Sequence, residues 1–208
     1  SFETGNNRTF HSRPIKYREF AFPFSLKKNE SYSIYLKIRS ENSISFPLYI
    51  FDYPEFFRSI NFEESLHGGF YGVILTFFIY SLLVFIISKD IVYIFYGIYI
   101  LSYSISQAIG HGHFYQFLLP ENVILNNSLL LFAIGINIIT SASLTSSFLK
   151  LSVYSPLFKK FLNINILFTV FLLFIEIFFN VSFIKFTLLI LSLFLSLVIV
   201  FVSIRVWI

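Results

Sequence analysis

The chain has 208 residues, of which 56% are hydrophobic and only 12% are charged, and its mean hydropathy is +0.77. A soluble domain usually carries about 25% charged residues, so an ordinary soluble protein is excluded. The net charge of +4 with no basic cluster argues against nucleic-acid binding, and the lack of cysteine excludes disulfide scaffolds and cysteine-ligated metal sites. Because methionine is also absent, we expect the chain to be a piece of a longer product.

The first part of the chain is polar and carries a strand-like pattern. The first 67 residues hold 17 of the 26 charged residues. Apolar residues alternate with polar ones at 18–25 and 32–39, and 45–51 is apolar on both faces, which predicts a three-stranded antiparallel meander. Three strands make a marginal domain alone, so we interpret residues 1–53 as the C-terminal part of an extracytoplasmic β-sandwich sensor domain. Residues 54–68 are predicted to be a linker or a short amphipathic helix.

Residues 69–208 are predicted to form a transmembrane helical domain. A helix needs about 20 mostly apolar residues to cross the hydrocarbon core, and backbone groups in lipid must be satisfied within helices or closed barrels. The apolar runs are too long for barrel strands and do not alternate. Five runs qualify as helical spans: 70–87, 91–109, 129–149, 161–179 and 186–204. The fold class is therefore an all-α membrane bundle of about five helices, preceded by a partial antiparallel β segment.

Basic residues in the short loops predict the orientation of this bundle. With five spans, one side of the membrane receives Lys89, Lys150, Lys159, Lys160 and Arg205, whereas the other side receives Lys185 alone. The side with more basic residues is cytoplasmic, so the end at Ile208 is predicted to be inside. The first 67 residues and the loop that contains His111 and His113 are then outside.

Six short segments follow one another in the order typical of a known family: 18–24, 32–40, 47–50, 69–75, 89–99 and 110–120. With them the chain resembles the bacterial seven-transmembrane receptors with diverse intracellular signalling modules. The first three segments are similar to the end of the family's extracellular jelly-roll domain. The others are similar to its first two helices and to the outside loop that follows.

The resemblance implies a receptor core in a bacterial inner membrane, truncated at both ends relative to the family. It would couple the sensing of a small extracytoplasmic ligand, such as a carbohydrate, to a cytoplasmic output module beyond Ile208. Any catalysis would belong to that module, so we expect no enzymatic activity, no cofactor and no metal in this chain. The partners expected are the lipid bilayer and, at a glycine pair described below, a second copy of the chain. The alternative function is a small-solute transporter or channel, and a membrane enzyme ranks last.

Two sets of residues are candidate sites outside or near the membrane surface. Gly68, Gly69 and Gly72 include a Gly-x-x-x-Gly spacing that allows close helix approach. They are either a dimer contact or a hinge with tight packing inside one chain. Residues 66–72 are also the expected coupling junction, because the predicted β-domain and the first helix meet there. His111 and His113 are predicted to be solvated loop residues, with metal binding or pH sensing as alternatives.

The remaining candidates lie within the spans. Tyr93, Tyr96, Tyr99, Tyr103 and Gln107 share one helix face at about 100° per residue, which either lines a cavity or makes interhelical hydrogen bonds. Asn137 lies deeper in a helix rich in Ser and Thr, where structural hydrogen bonding is the favoured role. Glu176 is the only acidic residue inside a span. An ionisable group at membrane depth suggests a functional site, although its position near the outer end predicts that it reaches the headgroups.

Overall fold

The computed structural model describes residues 2–6, 8–39, 47–179 and 182–207. In these residues a 3-10 turn at Phe10–Ser12 precedes seven α-helices. The helices are α1 (Tyr53–Ser88), α2 (Val92–Gly110), α3 (His113–Phe117), α4 (Val123–Phe148), α5 (Leu151–Tyr154), α6 (Pro156–Phe179) and α7 (Ser182–Trp207).

The prediction of five membrane-crossing helices is confirmed. α1, α2, α4, α6 and α7 are each long and apolar enough to span a bilayer. The short helices α3 and α5 lie in the connections between them. Many large apolar side chains on the long helices are exposed, as expected where a helix surface contacts lipid rather than protein.

The first helix is much longer than a membrane span. α1 has 36 residues, or about 54 Å at 1.5 Å per residue, whereas the hydrocarbon core is about 30 Å thick. It begins where the Asp52 side chain accepts a hydrogen bond from the backbone N–H of Glu55 at 2.8 Å, with a proline in the first turn. Residues 54–68 are therefore helical and continuous with the first span, so α1 projects beyond the membrane on the outer side.

α4 lies at the centre of the bundle, between α2 on one side and α6 and α7 on the other. Its Leu131, Ile138 and Ala142 are buried together with leucines of α6 and α7. Two glycines allow the helices to approach closely. A Cβ added at Gly97 of α2 would lie 2.6 Å from the Ser81 Oγ of α1, and one added at Gly135 of α4 would lie 2.6 Å from a Leu173 Cδ of α6.

The predicted β meander is not confirmed. The described residues of 1–52 contain no strand, and 18–25 and 32–39 are irregular or extended without ladder partners. The third predicted strand, 45–51, lies partly outside the described residues. Alternate apolar side chains such as Phe24 and Ile34 are more than half exposed. A strand is stabilised by pairing with another segment. In the described part of the chain, the segments 18–25 and 32–39 have no segment to pair with.

Candidate functional site

The N-terminal segment packs on the outer end of the bundle and joins three parts of the chain. We call this contact the outer clamp. It joins residues of the N-terminal segment to the extramembrane part of α1 and to the connection from α2 to α4. Its members are Arg8, Phe10, Arg13, Tyr17, Arg18, Glu63, Glu64, His67, His111, His113 and Tyr115.

Arg18 is the electrostatic centre of the clamp. Its side chain is only 7% exposed, and it donates to Glu63 Oε2 at 2.7 Å and to Glu64 Oε1 at 3.1 Å. The Tyr17 hydroxyl donates to the same Glu63 oxygen at 3.0 Å. Burial and this hydrogen bond raise the pKa of Tyr17, so the hydroxyl stays protonated and remains a donor. Adjacent residues of the N-terminal segment thus bind adjacent carboxylates on one side of α1.

A second contact fixes the N-terminal segment to the outer connection. The backbone N–H of Phe10 donates to the Pro120 carbonyl at 2.7 Å, and the Tyr115 hydroxyl donates to the Arg8 carbonyl. The Phe10 and Tyr115 rings meet edge to face at 5.7 Å between centroids. Arg13, only 6% exposed, lies over the Phe20 ring at 4.5 Å from its centroid. The segment is therefore held at two separate places, by α1 and by the connection after α2.

Gly112 sets the direction in which the chain leaves α2. Its φ of +81° lies in the left-handed region that glycine adopts without strain, and α3 begins directly after it. A Cβ added here would lie 3.6 Å from the Arg18 Cβ. The turn therefore brings the α2–α3 connection against the same arginine that binds α1.

The two loop histidines were predicted to be solvated; His111 is exposed, whereas His113 is not. His113 is 9% exposed, and its Nε2 has no hydrogen-bond partner among the described residues. A third histidine joins them from α1: the His67 ring centroid lies 4.7 Å from that of His111 and 5.0 Å from that of His113. The sequence did not indicate this contact, because His67 lies far from His111 and His113 along the chain. His67 is four residues from Glu63 and shares a face of α1 with it.

The surroundings of His113 disfavour its protonation. Burial lowers the pKa of His113, the carboxylate of Glu64 acts in the opposite direction, and Arg18 and the other two imidazoles add to the decrease. His113 Nδ1 lies 3.9 Å from Glu64 Oε2. His111 Nδ1 is 2.8 Å from the Gln107 carbonyl oxygen, which places the predicted stripe residue Gln107 beside the cluster. No group of three or more His, Asp or Glu side chains within the described ranges is arranged to hold a metal ion.

The glycines of the predicted junction lie inside the continuous helix α1 and contact no other part of the described chain. A Cβ added at Gly68, Gly69 or Gly72 would meet no atom within 4 Å. Tight packing inside one chain is therefore not what these glycines provide. Their roles as a dimer contact or as a hinge stay predictions. The contacts between the N-terminal segment and α1 are made earlier in the helix, at Phe56, Glu63 and Glu64.

The polar contact between α2 and α4 is made by serines rather than by the tyrosine stripe. The Asn137 side-chain amide donates to the Ser102 carbonyl oxygen at 3.1 Å and to Ser106 Oγ, and Ser102 Oγ contacts Thr140 Oγ1 at 3.3 Å. Asn137 thus hydrogen-bonds across the two helices, in agreement with the structural role favoured from the sequence.

The tyrosines of the stripe are spread along α2. Tyr103 is 41% exposed, and Tyr96 and Tyr99 are half-buried. Tyr93 lines a cleft of about 710 Å³ at the inner end of the bundle, together with Ser146, Ser147, Lys150 and Lys159 among others. The hydrogen bonds of Asn137 go to Ser102, Ser106 and Ala133 rather than to the stripe.

Glu176 does not reach the headgroups as predicted. It is only 4% exposed, and neither carboxylate oxygen has a hydrogen-bond partner among the described residues. Together with Asn165 and Thr169, which are also buried, it lies on one face of α6 at helical spacing. The position near the end of a span suggested solvent access, whereas the packing of α6 determines the actual burial.

Two family models match the chain, and together they cover nearly all of it. The model described as 7TM diverse intracellular signalling matches residues 63–208. The model described as 7TMR-DISM extracellular 2 matches residues 1–52. No curated protein and no solved structure matches the chain. The extracellular match ends at residue 52, directly before α1, and the seven-transmembrane match begins at Glu63, one of the two carboxylates that bind Arg18.

Proposed function

Because the chain belongs to the seven-transmembrane receptor family with diverse intracellular signalling modules, we propose that it is the membrane core of a receptor in a bacterial inner membrane. The matches support a transmembrane sensory receptor with an extracytoplasmic N-terminal region. In our proposal the N-terminal region senses a small ligand, the outer clamp passes the change to the helices, and the cytoplasmic ends pass it to an output module.

One observation carries this proposal: buried Arg18 binds two carboxylates of a helix that continues without interruption into the membrane. A ligand biases a bundle only when it binds two of its states with different affinity. A change in the position of Arg18 would act directly on Glu63 and Glu64. Since α1 is one helix from Tyr53 to Ser88, displacement of its outer end would move its cytoplasmic end.

Packing supports transmission beyond α1. α1 contacts α2 through the close approach of Ser81 to Gly97, and α2 contacts α4 through the Ser102–Asn137 hydrogen bonds. Closely packed interfaces of this kind shift between discrete arrangements rather than deforming continuously. In our proposal, displacement at the clamp would therefore be passed from α1 to α2 and then to the central helix α4.

Distances between the cytoplasmic helix ends test the proposal. The chain has no cysteine, so spin labels can be placed uniquely through Ser88→Cys at the end of α1 and Val153→Cys on α5, both exposed. In nanodiscs at about pH 8, the double variant Glu63→Gln and Glu64→Gln should change the distance distribution. The matched control is Glu55→Gln in the first turn of the same helix.

An unchanged distribution in the double variant would overturn the coupling proposal. So would an equal change in the Glu55→Gln control, because the effect would then not depend on the clamp. Solute flux through liposomes containing the unmodified chain, lost in Glu176→Gln, would instead support the transporter alternative.

A further inference from the structure

We propose that the histidine cluster of the outer clamp is a proton-binding site, and that acidification of the extracytoplasmic side releases the N-terminal segment from the bundle. The cluster consists of His67, His111 and His113. The inference rests on the proposed function, because it names a regulation of the same clamp. It gives the receptor a second input, proton concentration, beside a ligand.

The geometry around His113 is the first reason. The ring is enclosed by the Tyr71 ring, edge to face at 5.8 Å, and by the Phe117 ring, stacked at 6.5 Å. Its Nε2 is buried and finds no partner among the described residues. A proton on this nitrogen would place an N–H donor in surroundings that offer no described acceptor, which is costly for a charged group.

The distribution of charge is the second reason. His113 is surrounded by residues of the N-terminal segment, α1, the α2–α3 turn and its own helix; α4 carries no charged side chain. The charged or protonatable groups that act directly on His113 are Arg18, His67, His111 and Glu64, and the Tyr71 ring contacts it. Glu19, Glu63 and Tyr17 lie one contact further away, on Arg18, and Arg13 contacts Tyr115 elsewhere in the clamp.

Within this set Glu64 is the carboxylate that lies near His113, and it already binds Arg18. Glu64 Oε2 lies 3.9 Å from His113 Nδ1, while Glu64 Oε1 accepts from Arg18 at 3.1 Å. A charged His113 would therefore compete with Arg18 for Glu64. It would also repel Arg18 and any second protonated imidazole, since the His67 ring is only 5.0 Å away. Protonation of His113 therefore disfavours the docked position of Arg18, and the docked Arg18 disfavours protonation of His113.

The sign of the pH effect follows from linkage. Burial, with Arg18 and the neighbouring imidazoles, lowers the pKa of His113 in the docked state in spite of Glu64. A released and solvated His113 would have the ordinary value of about 6.5. The docked state is therefore fully stable above that value and loses stability as the pH falls toward the lower value of the docked state. Acid favours release.

The test measures release directly while the pH is changed. Spin labels at Lys16→Cys in the N-terminal segment and Ser88→Cys at the far end of α1 report the docked distance in phosphatidylcholine nanodiscs. The titration runs from about pH 8 to about pH 5.5, so that ordinary carboxylates with a pKa near 4.3 stay ionised. We expect the docked population to decrease reversibly in this range and to stay constant in His113→Gln. The matched control His11→Gln, an exposed histidine outside the cluster, should respond like the unmodified chain.

A second measurement needs no substitution at the cluster. The ¹³Cε1 resonance of His113 should titrate with the same midpoint as the release of the N-terminal segment. The proposal is overturned if the docked population does not change with pH, if release persists in His113→Gln, or if His113 stays neutral while release proceeds. Failure of the receptor proposal is separate, because the Glu63 and Glu64 variants test it at a constant pH of about 8.

Discussion

Replacement of Arg18 by Gln is the most direct perturbation of the outer clamp. Gln keeps much of the side-chain length and can still donate a hydrogen bond, but it carries no charge. In the structure Arg18 is 7% exposed and makes two charge-assisted hydrogen bonds, at 2.7 and 3.1 Å. The variant therefore removes both ion pairs to α1, together with the longer one to Glu19 at 3.9 Å, and leaves the carboxylates of Glu63 and Glu64 beside each other.

The magnitude follows from the burial of the partners. A hydrogen bond to a charged group contributes about 1.5–3 kcal/mol when it is buried, whereas an exposed ion pair contributes about 0.2–1 kcal/mol. The side chains of Glu63 and Glu64 are 42% and 34% exposed, so water screens both pairs. We expect docking of the N-terminal segment to weaken by about 1–3 kcal/mol in total, which is about a 5-fold to 150-fold change in the docking equilibrium.

The change in the docking equilibrium can be measured by hydrogen exchange at the backbone N–H of Phe10. That group donates to the Pro120 carbonyl across the clamp at 2.7 Å, so it exchanges when the segment is released. Its exchange rate in Arg18→Gln should increase by the same 5-fold to 150-fold factor. The control Arg58→Gln, an exposed position on α1, should leave the rate unchanged. An unchanged rate in Arg18→Gln would refute the assignment of Arg18 as the centre of the clamp.

Three further predictions concern the membrane-embedded part. Gly135→Ala places a Cβ 2.6 Å from a Leu173 Cδ, and we expect its free energy of unfolding, measured by thermal unfolding in detergent, to fall by about 1–3 kcal/mol. The control Gly72→Ala, whose added Cβ meets nothing within 4 Å, should not be destabilised. Equal losses in the two variants would refute the packing argument. Asn137→Leu removes the amide between α2 and α4, and we expect the free energy of unfolding to fall by about 0.6–1.7 kcal/mol in the same assay. An unchanged value would exclude a structural role. Glu176→Gln removes a buried carboxylate without a described partner and should not lower the stability; a loss would reveal an interaction of the charged form.

The sequence was sufficient to predict the helices of the membrane domain, for a physical reason. Lipid satisfies no backbone hydrogen bond, so an apolar run of sufficient length has one available structure, and all five predicted spans are helical. Which helices pack together depends on shape. The close approaches at Gly97 and Gly135 were not predicted. At Gly68, Gly69 and Gly72, whose spacing is more conspicuous, an added Cβ would meet nothing within 4 Å.

The candidate site was less accessible from sequence, because its residues come from three distant parts of the chain. His111 and His113 were visible as a pair, but the burial of His113 and the third imidazole of His67 depend on the turn at Gly112 and on the length of α1. A signal was present: Glu63, Glu64 and His67 are polar residues close together directly before an apolar span. Such a group on a helix projecting from the membrane is a candidate docking surface.

The strand prediction was not confirmed for a related reason. Alternation of apolar and polar residues shows that one face is suited to burial, but it does not supply the segment that covers it. The Ile34 and Leu36 side chains keep the predicted alternation and are 58% and 48% exposed. The family match over residues 1–52 agrees with an extracytoplasmic role for this region, while its strand content stays a prediction.

The central claim is that the outer clamp and the cytoplasmic helix ends move together. It is tested most directly by measuring two spin-label pairs across one set of chains: unmodified, Arg18→Gln, Glu64→Gln and Arg58→Gln. The pair at residues 16 and 88 reports docking of the N-terminal segment, and the inner pair, at residues 88 and 153, reports the cytoplasmic helix ends. The account predicts that the fraction of chains with a changed inner distance follows the fraction with a released N-terminal segment, and that Arg58→Gln matches the unmodified chain in both. An outer clamp that opens in Arg18→Gln while the inner distances stay unchanged would contradict it.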